Sequence, residues 1–158
     1  MFREMRRAKQ QLPAEECVRV LKEQPRGVLS VCGDDGYPYG IPMDHWYDET
    51  EHKLFFHCAK TGHKLDAIAA CDKVSYCVMD EGFREDGDWA LHIKSVVVFG
   101  RMRVVADETK KREICTNLCR KFTDDEAYLQ KELETAFARV NCLELRIEHM
   151  TGKLVKEA

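Results

Sequence analysis

No apolar stretch in this 158-residue chain approaches the roughly 18 consecutive residues needed to span a bilayer. The basic N-terminus, Met1-Phe2-Arg3-Glu4-Met5-Arg6-Arg7, is not followed by the apolar segment of a secretory signal. The expected location is therefore the cytoplasm, with no membrane partner. An excess of one charge is also missing. The 25 basic and 28 acidic side chains are mixed along the whole length and leave a net charge of −3, whereas a dedicated nucleic-acid binder carries a basic face or domain. Nucleic acid is not an expected partner. Internal repeats, low-complexity tracts, a Gly-rich dinucleotide loop, a Ser-His-Asp constellation and a paired-carboxylate site are all lacking. No side chain is assigned a catalytic role.

The spacings that would give eight cysteines a metal or redox task are missing too. Cys17, Cys32, Cys58, Cys71, Cys77, Cys115, Cys119 and Cys142 contain no Cys-x-x-Cys, and the helical pair Cys115/Cys119 has no second pair nearby. In a reducing compartment, thiols that alternate with aliphatic residues read as small apolar fillers. No metal site is expected; His45, His57 and His63 would converge only through the fold.

What is present fits one globular domain spanning residues 1–158, with a hydrophobic fraction of 44% and a charged fraction of 34%. Residues 1–12 form a polar arm. Pro13 opens a helix with acids in its first turn and Cys17, Val18, Val20 and Leu21 on its apolar side, and Gln24-Pro25-Arg26-Gly27 ends it. A short strand, Gly27 to Cys32, meets an Asp-Gly turn at 33–36. The next strand runs from Tyr37 to Tyr47, with Tyr37, Tyr39, Ile41, Met43, His45 and Tyr47 on one face and Pro38, Gly40, Pro42, Asp44 and Trp46 on the other. Two prolines on one face remove ladder donors, so this strand is irregular or at an edge. Gly40 also permits close approach of a flat ring, although an edge strand without a ligand has the same pattern.

Further strands are expected at 52–59 and 73–79, with a helix over 62–71 between them. A charged loop covers 80–88, and a long extended run begins at Trp89. Gly100 marks a bulge there, with Met102 and Val104 inward and Arg101 and Arg103 outward. A helical pair spans 107–139. The first helix carries Ile114, Leu118 and Phe122; the second is capped by Thr123 and carries Tyr128, Leu129, Leu133 and Phe137. Residues 140–147 return to strand, and Met150-Thr151-Gly152-Lys153 reads as a turn before a polar tail. About six strands joined by hairpin-length turns, with flanking helices, describe a mainly β, six-stranded antiparallel barrel.

The candidate site is the turn at 57–64, where strand gives way to helix. Thr61, Gly62, His63 and Lys64 offer donors at a helix start and Lys64 adds a formal charge, as a phosphate requires; a capped helix with solvated His and Lys is the competing reading. Trp46 and Trp89 are core or rim residues, or an indole beside a flat ligand.

Several segments in register resemble one family. They are Arg6-Arg7 followed by Leu12-x-x-Glu15-Glu16-Cys17, Gly27-Val28-Leu29-Ser30, Gly36-Tyr37-Pro38-Tyr39-Gly40-Ile41-Pro42-Met43, Phe56-His57-Cys58-Ala59, Gly62-His63-Lys64-Leu65-Asp66, and Glu148-His149-Met150-Thr151-Gly152-Lys153. Together they cover most of the chain and resemble the nitroimidazole-resistance (5-nitroimidazole reductase) family of pyridoxamine 5′-phosphate oxidase-like flavoproteins, whose fold is an FMN-binding split barrel. The resemblance implies a homodimer with FMN at each of two equivalent interfaces. It places Ile41, Pro42, Met43 and Asp44 along the isoalloxazine and ribityl region, Phe56 and His57 beside the ribityl-phosphate, and His63 with Lys64 on the phosphate. It also brings Ser95 and Val96 to the flavin and makes Trp46 a wall on the substrate side. The implied activity is electron transfer from reduced FMN to a small acceptor such as a nitroaromatic, with a nicotinamide nucleotide as candidate donor. The alternatives are a flavin-binding module for storage or sensing, or a haem or deazaflavin binder on the same barrel. Position 44 is commonly Asn in that family. Asp44 accepts hydrogen bonds only, unless protonated, and pairing with a neighbouring cation is its alternative role.

Overall fold

The structure, a computed structural model, describes residues 1–156. Its frame is a seven-stranded, wholly antiparallel sheet: β1 (Arg26–Cys32), β2 (Pro38–Asp44), β3 (Trp46–Asp48), β4 (Lys53–Ala59), β5 (Lys73–Met79), β6 (His92–Val104) and β7 (Val140–Lys156), in the order β2-β1-β5-β6-β7-β4-β3. Four helices accompany it: α1 (Ala14–Glu23), α2 (His63–Ala70), α3 (Glu108–Arg120) and α4 (Glu126–Ala136). The mainly β expectation holds. The strand count is corrected from six to seven, because the segment expected as one strand over Tyr37–Tyr47 is two.

The break falls at His45 and has a topological cause. β2 and β3 lie at opposite edges of the sheet, yet one residue joins them. The sheet must therefore curl until its two edges meet at His45. The bend is held by buried polar contacts. His45 is fully buried; its Nε2 donates to the Leu21 carbonyl of α1 at 2.7 Å, and its Nδ1 lies 2.9 Å from the Tyr76 hydroxyl of β5. That hydroxyl also lies 2.7 Å from the Met43 carbonyl, so its single proton is placed between two acceptors. Inside the curl, Leu29, Val31, Leu54, Phe56, Tyr76, Val78, Val96, Val98, Leu143 and Leu145 form the main core, capped by Val20 and Leu21 of α1.

Local chemistry explains the elements that position the site. The β1–β2 turn takes positive φ at Asp35 (54°) and Gly36 (79°), the twist that suits a hairpin, and the Tyr37 N–H closes it on the Asp34 carbonyl at 3.1 Å. The expected bulge at Gly100 is present as a register shift between Phe99 and Gly100. A Cβ at Gly100 would collide with the Arg146 carbonyl.

Four further expectations are corrected. Val104 is exposed; Val105 turns inward instead and donates its N–H to the Cys142 carbonyl at 2.9 Å. Phe122 and Tyr128 are exposed, because the buried stripes are Ile114/Leu118 on α3 and Leu129/Leu133 on α4. The cap of α4 is Asp125, whose carboxylate accepts from the Ala127 and Tyr128 N–H groups at 3.0 Å each, while Thr123 accepts from Asp125. Met150–Lys153 is strand rather than turn. Gly152 serves close packing there, since a Cβ would strike Cys17 of α1.

All eight cysteines are free. Cys17, Cys58, Cys115 and Cys142 are buried as fillers, whereas Cys32 is exposed.

Burial, reinforced by the charge of Lys121, pushes the His45 pKa down to about 3. An unfolded chain takes up that proton near the ordinary value of about 6.5. The contribution of neutral His45 is thus complete above about pH 6.5 and is lost as pH falls toward about 3. Urea unfolding should show a loss of about 2 kcal/mol from this group between about pH 7 and pH 5. The His45→Gln variant should be less stable near neutrality and lose less over the same interval; equal losses in the two proteins would contradict the assignment.

Candidate functional site

Alternation along the strands decides which side chains leave the core. On β4, Leu54, Phe56 and Cys58 point into the main core, so Phe55 and His57 point outward. Along β2 and β3, Asp44 and Trp46 likewise face away from Met43, His45 and Tyr47. The helical pair α3–α4 covers this outer face. Phe55, Ile114, Leu118, Leu129, Leu133 and Cys142 make a second core there, and Trp46 packs against it. Where α3 and α4 reach past Phe55, a pocket of about 230 Å³ remains, lined by Asp44, His57, Leu118, Phe122, Leu133 and Phe137 among others.

The walls are mostly apolar, with Asp44, His57 and Glu132 among the charged or titratable groups that line them. Arg26 holds the Asp44 carboxylate by two hydrogen bonds, 2.6 and 3.1 Å, so Asp44 is paired with a neighbouring cation. Lys121, half-buried behind it, donates to the Gln24 and His45 carbonyls at 2.8 and 3.0 Å. Burial brings the Lys121 pKa down to about 8, with Asp44 opposing. His57 keeps solvent contact on one side, yet burial is the largest influence on its ring and lowers its pKa; Asp44 pulls it up and Lys64 pulls it further down. Asp44, His57 and Lys64 are therefore one electrostatic group.

α2 begins beside them. Its first residue follows Gly62, which has φ +136° and makes no side-chain cap, so the leading N–H groups have no capping side chain. Lys64 is partly buried and has no carboxylate partner among the described residues. His63 stacks on Tyr39 with ring centroids 4.4 Å apart and lies 3.5 Å from the Asp34 carboxylate. An uncapped helix start whose Lys64 has no carboxylate partner among the described residues suits a phosphate or another small anion.

The other candidate residues are placed as follows. Ile41 is partly buried and Pro42 exposed on the edge strand β2, whereas the Met43 side chain is in the core. Phe56 and Val96 are fully buried and offer a ligand no exposed surface. Trp46 is stacked on Phe55 at 5.2 Å, with the Lys110 ammonium 5.4 Å from its ring centre. Ser95 pairs with Lys153 on β7, while His57 pairs with Cys142 on the same strand. Lys153 is eleven positions along β7 from Cys142, roughly 35 Å of contour. Ser95 and the turn at 57–64 are thus well separated along the sheet.

Sequence reasoning passed over Arg26 and Lys121. The first was within reach, because counting outward from Cys32 opposite Pro38 places Arg26 opposite Asp44. Lys121 comes from 76 residues beyond His45, with no local signal.

The chain belongs to the pyridoxamine 5′-phosphate oxidase family, whose sequence profile matches residues 13–154. Among curated proteins none matches it in sequence. In structure it is similar to a putative 5-nitroimidazole antibiotic resistance protein from Bacteroides thetaiotaomicron, with TM-score 0.75, 16% identity, and 92% of this chain and 87% of that one covered. It is also similar to an FAD-binding protein from Mesorhizobium loti (TM-score 0.66, 26% identity, 92% and 97% covered). A third similar structure is the FAD and heme binding protein from Mycobacterium smegmatis (TM-score 0.72, 21% identity, 94% and 74% covered).

Removing the Asp44 charge takes away the influence that raises the His57 pKa. In Asp44→Asn, NMR titration of the His57 ring protons should give a lower pKa than in the wild type. An unchanged or higher value would contradict the grouping of Asp44, His57 and Lys64.

Proposed function

We propose that this protein is a flavin-binding redox protein, holding FMN at a site that two copies of the chain complete, and passing electrons to a small acceptor such as a nitroaromatic. The observation that carries this reading is the uncapped start of α2, with Gly62 at positive φ and Lys64 without a carboxylate among the described residues, beside an irregular edge strand. The donor set fits a flavin phosphate: the leading N–H groups of α2 supply directed hydrogen bonds and Lys64 supplies charge. Membership of the pyridoxamine 5′-phosphate oxidase family and likeness to proteins described as FAD-binding support a flavin over other phosphates.

When bound, the flavin supplies the redox chemistry, while the protein binds, orients and tunes. Lys64 and the α2 N-terminus would anchor the phosphate. The exposed side of β2 at Pro42, with the half-buried Ile41, offers a flat wall for the ring. Asp44, neutralised by Arg26, presents acceptor atoms without an uncompensated charge. His57, with its pKa lowered, is neutral at neutral pH and offers one donor and one acceptor. The half-open pocket beneath α3 and α4 gives an acceptor an apolar seat next to these groups.

The second copy is motivated by distance and by surface. Ser95 is remote from Lys64 along one chain, so a site using both draws on two. The outer sheet face also exposes apolar groups that a partner would cover: Val28 is 42% exposed, Met79 62% and Phe99 38%.

Titration of FMN, followed by quenching of its fluorescence, tests the reading. The wild type should bind, and Lys64→Gln should bind roughly ten- to a hundredfold more weakly, as expected for loss of a charge-assisted hydrogen bond. No uptake by the wild type, or equal affinity in the variant, would overturn it.

A further inference from the structure

The charged loop between β5 and β6 ends on a residue that does not behave as a loop residue. His92, the first residue of β6, is only 4% exposed, and its Nε2 is buried with no hydrogen-bond partner among the described residues. A buried polar atom left unpaired is costly, so such an atom calls for a partner. The backbone leaves the ring little freedom. His92 and Phe83 exchange two backbone hydrogen bonds of 2.9 Å, and their rings stack at 4.7 Å.

Two carboxylates approach that ring. The Asp88 N–H donates to the Glu85 carbonyl at 3.0 Å, and Gly87 at φ +80° lets the chain turn between them. One oxygen from Glu85, one from Asp88 and a ring nitrogen of His92 all lie within 4.8 Å of one another. Asp88 is held in place by accepting the Ala90 N–H at 3.0 Å, whereas Glu85 is exposed and free to swing.

We propose that Glu85, Asp88 and His92 form a binding site for a divalent transition-metal ion, with zinc the expected occupant. Two carboxylates and a neutral imidazole match the charge of a dication. The imidazole favours zinc and its neighbours over magnesium or calcium, which prefer an all-oxygen shell. Ligands about 2.0–2.1 Å from a tetrahedral zinc lie about 3.4 Å from one another, so the three atoms must close by up to about 1.4 Å. A rotamer change at Glu85 supplies much of that movement. Three protein ligands leave a fourth position for water or an incoming group. Metal bound here would tie the loop to the start of β6, three residues before Ser95. The site stands independently of the flavin reading.

Eight cysteines compete for zinc, so the probe is cobalt(II), whose absorption distinguishes thiolate from nitrogen and oxygen ligands. Equilibrium dialysis of the full chain should give one cobalt per chain, with weak d–d bands and no thiolate charge-transfer band. Binding should weaken at least tenfold in Glu85→Gln and in Glu85→Gln/Asp88→Asn. Both substitutions lie on the loop and keep side-chain shape, and unchanged circular dichroism and thermal midpoint without metal would show that the fold is intact. Absence of cobalt binding, equal binding by the folded variants, or a thiolate band as the sole signature would each overturn the proposal.

Discussion

The buried contact of His45 with Leu21 and Tyr76 is the constraint on which the rest of the molecule depends. A seven-stranded sheet whose edge strands are joined by one residue has to curl, and that residue marks the closure. Its imidazole ties three elements together: the link itself, the end of α1 and the central strand β5. Tyr76 extends the tie to the Met43 carbonyl on β2. Because β2 is joined to β3 at this point and β3 pairs with β4, the outward positions Asp44 and His57 reach one side of the sheet and meet α2 and the helical pair there.

The site is a consequence of strand alternation acting on that curl. The side chains inward of it are spent on the core, and their neighbours one residue away form the pocket. This explains why Phe56 and His57, adjacent in sequence, have opposite tasks, and why Trp46 is bound up with Phe55 and Lys110 in the second core. Charge then organises the pocket's polar groups. Arg26 neutralises Asp44, Lys121 stands behind them, and Lys64 is left without a carboxylate among the described residues at the uncapped helix.

Much of this could be read from local sequence. Asp35-Gly36 announced the hairpin, the two prolines announced an edge strand, and the strand-to-helix change at 57–64 marked the turn that opens α2. What escaped depends on distant partners. Nothing local to His45 says that the two ends of a sheet meet there. Thr151-Gly152 has the composition of a turn, and only the arrival of Cys17 from α1 and Leu12 from the arm before it explains a glycine inside a strand. Phe122 and Tyr128 continued an apolar spacing that the packing of α3 on α4 does not use. Glu85 and Asp88 looked like ordinary loop charges, because the burial of His92 is decided by Phe83 and the strand beyond it.

The central claim is that a flavin occupies a site completed by two copies of the chain. Size-exclusion chromatography of the purified, FMN-supplemented protein, with light scattering and flavin absorbance read on the same peak, tests it most directly. The account predicts flavin absorbance on a species of about twice the 18.3 kDa chain mass. Flavin carried by a single chain, or a protein peak without flavin, would contradict it.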